Sequence, residues 1–127
     1  MSLNVLIVDD SAVMRAMVVK TLKAAGLPIG QALEAANGQE GLAALADNWV
    51  DMVFADINMP VMNGEEMIEA IRANPTWAEL PIVVISTEGS EARIESLRAK
   101  DAEFNHKPFS PEDVRDLVTN MTGVSHD

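Results

Sequence analysis

Short apolar runs alternate with longer amphipathic segments along this chain. Continuous apolar runs of this length are typical of strands that are buried on both faces of a sheet. We predict four strands, which run from Leu3 to Val8, from Gln31 to Ala35, from Met52 to Ala55 and from Ile82 to Ile85. A short fifth strand includes Phe104.

The segments between these strands carry apolar residues at helical spacing and are bounded by start and stop signals. Ser, Asn and Pro stand at predicted helix starts, whereas Gly26, Pro28 and Pro75 follow predicted helix ends. The predicted helices run from Ser11 to about Gly26, from Asn37 to about Asn48, from Gly64 to Arg72, from Glu91 to Ala99 and from Ser110 onwards.

A regular alternation of strand and helix predicts an α/β fold with parallel strands and right-handed crossovers. We expect a flavodoxin-like three-layer sandwich with a five-stranded parallel sheet of order 2-1-3-4-5 and five helices. The chain has 127 residues and shows no linker or internal repeat. Residues 1–127 are therefore predicted to form a single domain.

Polar residues stand where four of the predicted strands end. Asp9 and Asp10 follow the first strand, Asp56 follows the third, Ser86 ends the fourth, and Lys107 follows the fifth. Ligands of open parallel sheets bind outside the carboxyl ends of the strands, where the strand order reverses. With the first and third strands adjacent, the three aspartates are expected to be neighbours in a site.

Three neighbouring carboxylates repel one another, so we expect a cation to bind among them. Oxygen ligands without His or Cys favour a hard ion, and Mg²⁺ fits better than zinc. One carboxylate can also serve as a nucleophile that forms an aspartyl phosphate. Lys107 and the Ser86 hydroxyl would then stabilise the phosphoryl oxygens, so these residues together predict phosphoryl transfer.

Composition narrows the classes of function. Twenty acidic residues against nine Lys and Arg give a net charge of -11, which argues against direct nucleic-acid binding. The absence of cysteine excludes disulfides, thiolate metal sites and a cysteine nucleophile. The N-terminus lacks a basic targeting region and no apolar stretch approaches ~20 residues, so we expect a soluble cytoplasmic protein without membrane insertion.

Four motifs together resemble response-regulator receiver domains, and among these the single-domain CheY-like chemotaxis proteins. They are LIVDDS at Leu6 to Ser11, DINMPVMNG at Asp56 to Gly64, ISTEG at Ile85 to Gly89 and KPF at Lys107 to Phe109. The resemblance implies that Asp56 is the phosphoacceptor and that Lys107 contacts the phosphoryl group. It also implies that Asp9, Asp10, Asp56 and the main-chain carbonyl of Asn58 hold Mg²⁺.

The same resemblance implies a switch and a set of partners. The Ser86 hydroxyl would move toward the phosphoryl group, and Phe104 would turn inward. The phosphoryl donor would be a sensor histidine kinase or a phosphotransfer protein. A downstream protein would bind the face of the fourth helix, fifth strand and fifth helix, which includes Arg93 and Arg98. We expect a monomer, and dimerisation on phosphorylation is left open. We expect that the protein is not an enzyme, although it catalyses its own phosphorylation and dephosphorylation.

Some positions near the implied site affect how quickly the phosphoryl group would be lost, and others depart from the family pattern. Asn58 and Glu88 match the choices of CheY-like proteins and imply quick loss of the phosphoryl group. Thr87 replaces a smaller residue and would narrow access to Asp56, whereas Phe104 lacks the tyrosine hydroxyl. Lys100-Asp101 replaces the usual Gly-Ala.

Alternative functions remain open at this point. The chain could be a phosphorelay shuttle or a constitutive interaction module on the same scaffold. The signalling pathway in which it acts could be chemotaxis or another phosphorelay. A metal-dependent phosphatase is disfavoured because it needs Asp-x-Asp on the first strand. Trp49 and Trp77 are predicted to pack at the ends of elements.

Overall fold

The computed structural model of this chain describes residues 3–57, 61–86 and 102–106, with backbone alone for Ser86 and for 102–106. The described strands and helices are β1 (Leu3–Val8), α1 (Ala12–Ala24), β2 (Ile29–Ala35), α2 (Gly38–Asp47), β3 (Met52–Ala55), α3 (Gly64–Ala73), β4 (Ile82–Ser86) and β5 (Ala102–His106). The helices predicted after Glu91 and Ser110 lie outside the described residues. None of the three described helices has the length and apolarity needed to cross a bilayer.

The strands form one sheet in the order β2-β1-β3-β4-β5, which confirms the predicted parallel topology. Each neighbouring pair is parallel. In the register of β1 with β3, Val8 lies opposite Ala55. The next residue of each strand is an aspartate, so this register alone places Asp9 beside Asp56.

Both faces of the sheet are buried at β1, β3 and β4, as their continuous apolar runs predicted. Side chains alternate along each strand, so β1 sends Leu6 and Val8 to one face and Val5 and Ile7 to the other. The first face packs against residues of α2 and α3, and the second packs against Val18 and Leu22 of α1. The described residues thus form three layers, with the sheet in the middle.

Polar side chains cap the three helices where the sequence indicated a helix start. Ser11 accepts from the Met14 amide at 3.3 Å, and Asn37 accepts from the Glu40 amide at 2.9 Å. Asn63 and Glu66 form a reciprocal capping box at the start of α3. These caps fix where the loops at the carboxyl edge of the sheet become helical.

The element ends differ from the prediction by a few residues. β2 begins at Ile29 rather than at Gln31, because Ile29 pairs with Leu3 and packs against the α1 side of the core. Gly30 and Gln31 interrupt the apolar pattern there, so the sequence conceals the start of this strand. α3 ends at Ala73, one residue later than predicted.

Candidate functional site

Asp9, Asp10 and Asp56 meet at the carboxyl edge of the sheet, where the sequence predicted a site. One carboxylate oxygen from each residue lies within 4.8 Å of those of the other two. Asp9 is buried, at 4% exposure, whereas Asp56 is half-buried and Asp10 is exposed. The three acids therefore form one cluster that is open to solvent on the Asp10 side.

Backbone hydrogen bonds that continue the sheet beyond its strands hold two of these residues. The Asp9 amide donates to the Ala35 carbonyl at 3.0 Å, and the Asp56 amide donates to the Val8 carbonyl at 2.9 Å. Asp9 Oδ1 also accepts from the Ser11 amide at 2.9 Å, which ties the carboxylate to the start of α1. The main-chain positions of the acids are thus set by the same ladder that builds the core.

The Asp56 carboxylate is oriented by its own loop. Its Oδ1 accepts a hydrogen bond from the Ile57 amide at 2.8 Å. The Ile57 carbonyl in turn accepts from the Gly64 amide at 2.9 Å, so α3 begins directly against this loop.

Gly64 is a site residue to which the sequence analysis gave no chemical role. A Cβ at this position would lie 2.3 Å from the Asp56 carbonyl oxygen and 3.0 Å from Ile57 Cα. Only glycine lets α3 approach the backbone of Asp56 this closely. A glycine at the first position of a predicted helix, directly after an Asn cap, was the available signal.

Arg15 is a second residue that the sequence analysis missed. Its Nη1 donates to the main-chain carbonyl of Asp9 at 2.5 Å, and its Nε donates to Glu34 Oε1 at 3.0 Å. Arg15 lies one helical turn after Ser11, so its position on the face of α1 nearest the acids could have been read from the spacing. It links α1 to β2 across the end of β1.

The acidic cluster fits a hard divalent cation. Mg²⁺ binds oxygen ligands at 2.0–2.1 Å in octahedral geometry, which places adjacent ligands roughly 3 Å and opposite ligands roughly 4 Å apart. The carboxylate oxygens lie within 4.8 Å of one another, so the three acids are close enough to bind one ion together. No His or Cys belongs to the cluster among the described residues, which disfavours a softer metal.

The remaining predicted site residues are described only in part. Ser86 ends β4 with its backbone opposite His106, and the backbone of Phe104 lies in β5 opposite Val84. Lys107 follows His106 in the sequence but lies outside the described residues, as do Asn58, Thr87 and Glu88. The output residues Arg93 and Arg98 and the Lys100-Asp101 pair also lie outside them.

Comparison with known proteins identifies the family. A family model of the response regulator receiver domain matches residues 5–119. The chain is 34% identical to a chemotaxis protein CheY homolog of Campylobacter jejuni, over 96% of this chain and 94% of that protein. The chain belongs to the response regulator receiver family.

Solved structures of receiver domains agree with this assignment. Chemotaxis protein CheY4 of Vibrio cholerae shares 34% identity with a TM-score of 0.83, covering 95% of this chain and 99% of that one. The structure of the CheX-CheY-BeF3-Mg²⁺ complex of Borrelia burgdorferi shares 28% identity with a TM-score of 0.82, covering 93% of this chain and 87% of that one. This chain is therefore a CheY-type receiver domain with the flavodoxin-like fold, consistent with two-component signalling and chemotaxis.

Proposed function

We propose that this receiver domain accepts a phosphoryl group on Asp56 and signals through a change in its protein-binding face. The donor is a phosphohistidine of a sensor histidine kinase or a phosphotransfer protein. The observation that carries the proposal is the convergence of Asp9, Asp10 and Asp56, whose carboxylate oxygens lie within 4.8 Å of one another at the carboxyl edge of the sheet.

In the transfer, a carboxylate oxygen of Asp56 attacks the phosphorus atom of the phosphohistidine. An O–P bond forms as the N–P bond breaks, and the imidazole leaves with the bonding electron pair and takes up a proton. The hydrogen bond from the Ile57 amide to Asp56 Oδ1 restricts the rotation of the carboxylate, so the nucleophile is oriented before the donor arrives. Half-burial of Asp56 limits competing water while leaving the residue accessible.

Asp9, Asp10, Asp56 and the Asn58 main-chain carbonyl would hold Mg²⁺. When bound, the ion neutralises charge on the phosphoryl oxygens. The structure of the Borrelia burgdorferi complex contains CheY together with BeF3 and Mg²⁺, which supports the same ion for this chain. Burial of Asp9 and its hydrogen bond from the Ser11 amide hold one ligand in place before any ion binds.

The remaining predicted site residues complete the proposal. Lys107 pairs with a phosphoryl oxygen, and Ser86 and Phe104 form the switch. Asn58, Thr87 and Glu88 set the rate at which water removes the phosphoryl group. The output face comprises the fourth helix, β5 and the fifth helix, and the domain acts in the cytoplasm.

The decisive experiment is incubation with acetyl phosphate, with and without Mg²⁺, followed by intact-mass measurement. We expect an adduct of about 80 Da, one phosphoryl group, on the wild-type protein with Mg²⁺ only. Asp56→Asn should show no adduct, and Asp10→Asn should need more Mg²⁺ for the same yield. Asp47→Asn is the matched control, because it removes one exposed carboxylate from the end of α2, before β3, and should leave the yield unchanged.

An adduct of equal yield on Asp56→Asn would contradict the assignment of the phosphoacceptor. If Mg²⁺ binds but neither acetyl phosphate nor a phosphorylated kinase modifies the protein, the chain is a constitutive interaction module. Transfer of the phosphoryl group onward to a histidine of a second protein would identify a phosphorelay shuttle. An unchanged dephosphorylation rate after replacing both Asn58 and Glu88 by Ala would refute their tuning role.

A further inference from the structure

A large cleft lies at the end of the sheet opposite to the phosphorylation site. It is formed by the segment between α2 and β3 and by the segment between α3 and β4, and its volume is about 810 Å³. Both segments precede strands, so the cleft lies at the amino edge of the sheet, whereas Asp9 and Asp56 follow strands. Its volume is within the ~300–1,000 Å³ range of ligand pockets.

The first wall of the cleft carries an exposed tryptophan that is hydrogen-bonded to a neighbouring aspartate. Trp49 is 76% exposed, which contradicts the prediction that it packs at an element end. Its indole Nε1 donates to Asp51 Oδ1 at 3.0 Å, and Asp51 Oδ2 accepts from the Asn4 amide at 2.8 Å. Asp51 therefore ties the Trp49 ring to the start of β1, and the aromatic surface is presented rather than buried.

The second wall is held in place by Arg72 of α3. Its Nη1 donates to the main-chain carbonyls of Trp77, Ala78 and Leu80, at 3.3, 3.2 and 2.7 Å. Trp77 packs against the core, as predicted for it. The wall is therefore preorganised, which lowers the entropic cost of binding a partner.

The charged side chains that line the cleft are all acidic, because Arg72 lies behind the second wall and is not among the lining residues. Its lining includes Asp47, Asp51 and Glu79, and none of the described residues that line it is Lys or Arg. A cation lying over the face of a tryptophan is attracted by the ring, and nearby carboxylates add Coulomb attraction. The lining therefore complements a group that has both an apolar stem and a positive charge, as the side chains of arginine and lysine do.

We propose that this cleft docks a basic segment of a partner protein, with an arginine or lysine side chain stacked on Trp49 and paired with the surrounding carboxylates. The net charge of -11 would favour the approach of such a segment. Because the cleft and Asp56 lie at opposite edges of the sheet, the segment and a phosphoryl donor can bind at the same time. The cleft is thus a second protein-binding surface, at the edge of the sheet opposite to Asp56.

The chain carries a natural reporter for this binding. Its two tryptophans both line the cleft, and it contains no tyrosine, so its intrinsic emission reports on this surface. The probe is a capped peptide of sequence Gly-Arg-Leu-Arg-Gly, titrated at low salt. The control peptide carries citrulline at both arginine positions, which keeps the shape of the side chain and removes the charge.

We expect a saturable change in emission with the arginine peptide, weakened by salt and lost with the citrulline peptide. Asp47→Asn and Glu79→Gln should each weaken binding about two- to fivefold, the range for one exposed charge pair. Glu69→Gln, which removes an exposed carboxylate of α3 outside the cleft, should bind as the wild type does. All three variants should still be phosphorylated at the wild-type rate, so failure here is separate from failure of the proposed function.

Three results would overturn the proposal. The first is no saturable change at millimolar peptide, and the second is equal binding of the citrulline peptide, which would indicate an apolar occupant. The third is a change in emission with protein concentration alone, together with dimers in sedimentation velocity that Trp49→Leu abolishes. That outcome would identify the occupant as a second copy of this chain.

Discussion

Gly64→Ala should damage both the fold and the proposed phosphorylation site, because the new methyl group meets main chain. The added Cβ would lie 2.3 Å from the Asp56 carbonyl oxygen, and the two segments must separate by about 0.7 Å to restore even 3.0 Å. Neither segment can move freely, since the Gly64 amide is bonded to the Ile57 carbonyl and the Asp56 amide to the Val8 carbonyl. Overpacking of this kind costs about 1–3 kcal/mol.

The expected loss of phosphorylation rate follows from how far the Asp56 carboxylate is displaced. A shift of nearly an ångström in a reacting group can cost about 100-fold in rate. We therefore expect Gly64→Ala to lose about 2–3 kcal/mol of unfolding free energy. We also expect phosphorylation by acetyl phosphate to slow about 10- to 100-fold.

Gly41→Ala is the matched control within α2. A Cβ there would meet side chains, Met67 Sδ at 2.9 Å and Val8 Cγ2 at 3.1 Å, and a methionine side chain can adjust. The substitution also gains about 0.8–1 kcal/mol of helix propensity. We expect the packing cost and the propensity gain to offset each other, so stability should stay within about 1 kcal/mol of the wild type, with normal phosphorylation.

Urea unfolding and phosphorylation kinetics, measured on the same preparations, test this reasoning. With a denaturant slope of about 2 kcal/mol per molar, the midpoint of Gly64→Ala should fall by about 1–1.5 M. Wild-type stability and wild-type kinetics in Gly64→Ala would show that the close approach of α3 to Asp56 is not required. Equal losses in both variants would show that any added methyl group, rather than contact with main chain, causes the damage.

Other substitutions test the contacts that shape the site and the core. Arg15→Leu should cost about 1–2 kcal/mol of unfolding free energy, because its charge-assisted bond to the carbonyl at the end of β1 is lost; Glu34→Gln should cost under about 0.5 kcal/mol, since that side chain is 46% exposed. Asn63→Ala should cost about 1 kcal/mol by removing the capping box of α3, and Ser11→Ala less, because its cap bond is 3.3 Å long. Phe54→Ala should cost about 3–5 kcal/mol, since Phe54 is only 1% exposed. Each value is measured by urea unfolding. The proposed roles of Arg15 and of the capping box would be contradicted if Glu34→Gln lost more stability than Arg15→Leu, or if Ser11→Ala lost more than Asn63→Ala. A loss under 1 kcal/mol for Phe54→Ala would contradict its role in the core.

Sequence periodicity predicted the cluster of Asp9, Asp10 and Asp56, because the end of each strand is marked twice. The apolar runs that end at Val8 and Ala55 are followed at once by acids, and the parallel order places those ends side by side. The start of β2 was harder to predict, since Gly30 and Gln31 interrupt the pattern. The prediction that Trp49 packs at the end of an element was also wrong, because a large apolar side chain is buried on average, whereas the Trp49 indole is exposed and donates to Asp51.

The sequence by itself determined the class of fold, the parallel direction of the strands and the identity of the acids at the sheet edge. These follow from local pattern, since burial on both faces selects continuous apolar strands and helical crossovers make them parallel. Only the tertiary structure decided the contacts between elements. Gly64 of α3 approaches the backbone of Asp56 after β3, Arg15 of α1 bonds the Asp9 carbonyl after β1, and the cleft lies between two loops that precede different strands. Their distances depend on how the layers pack, which no local pattern specifies.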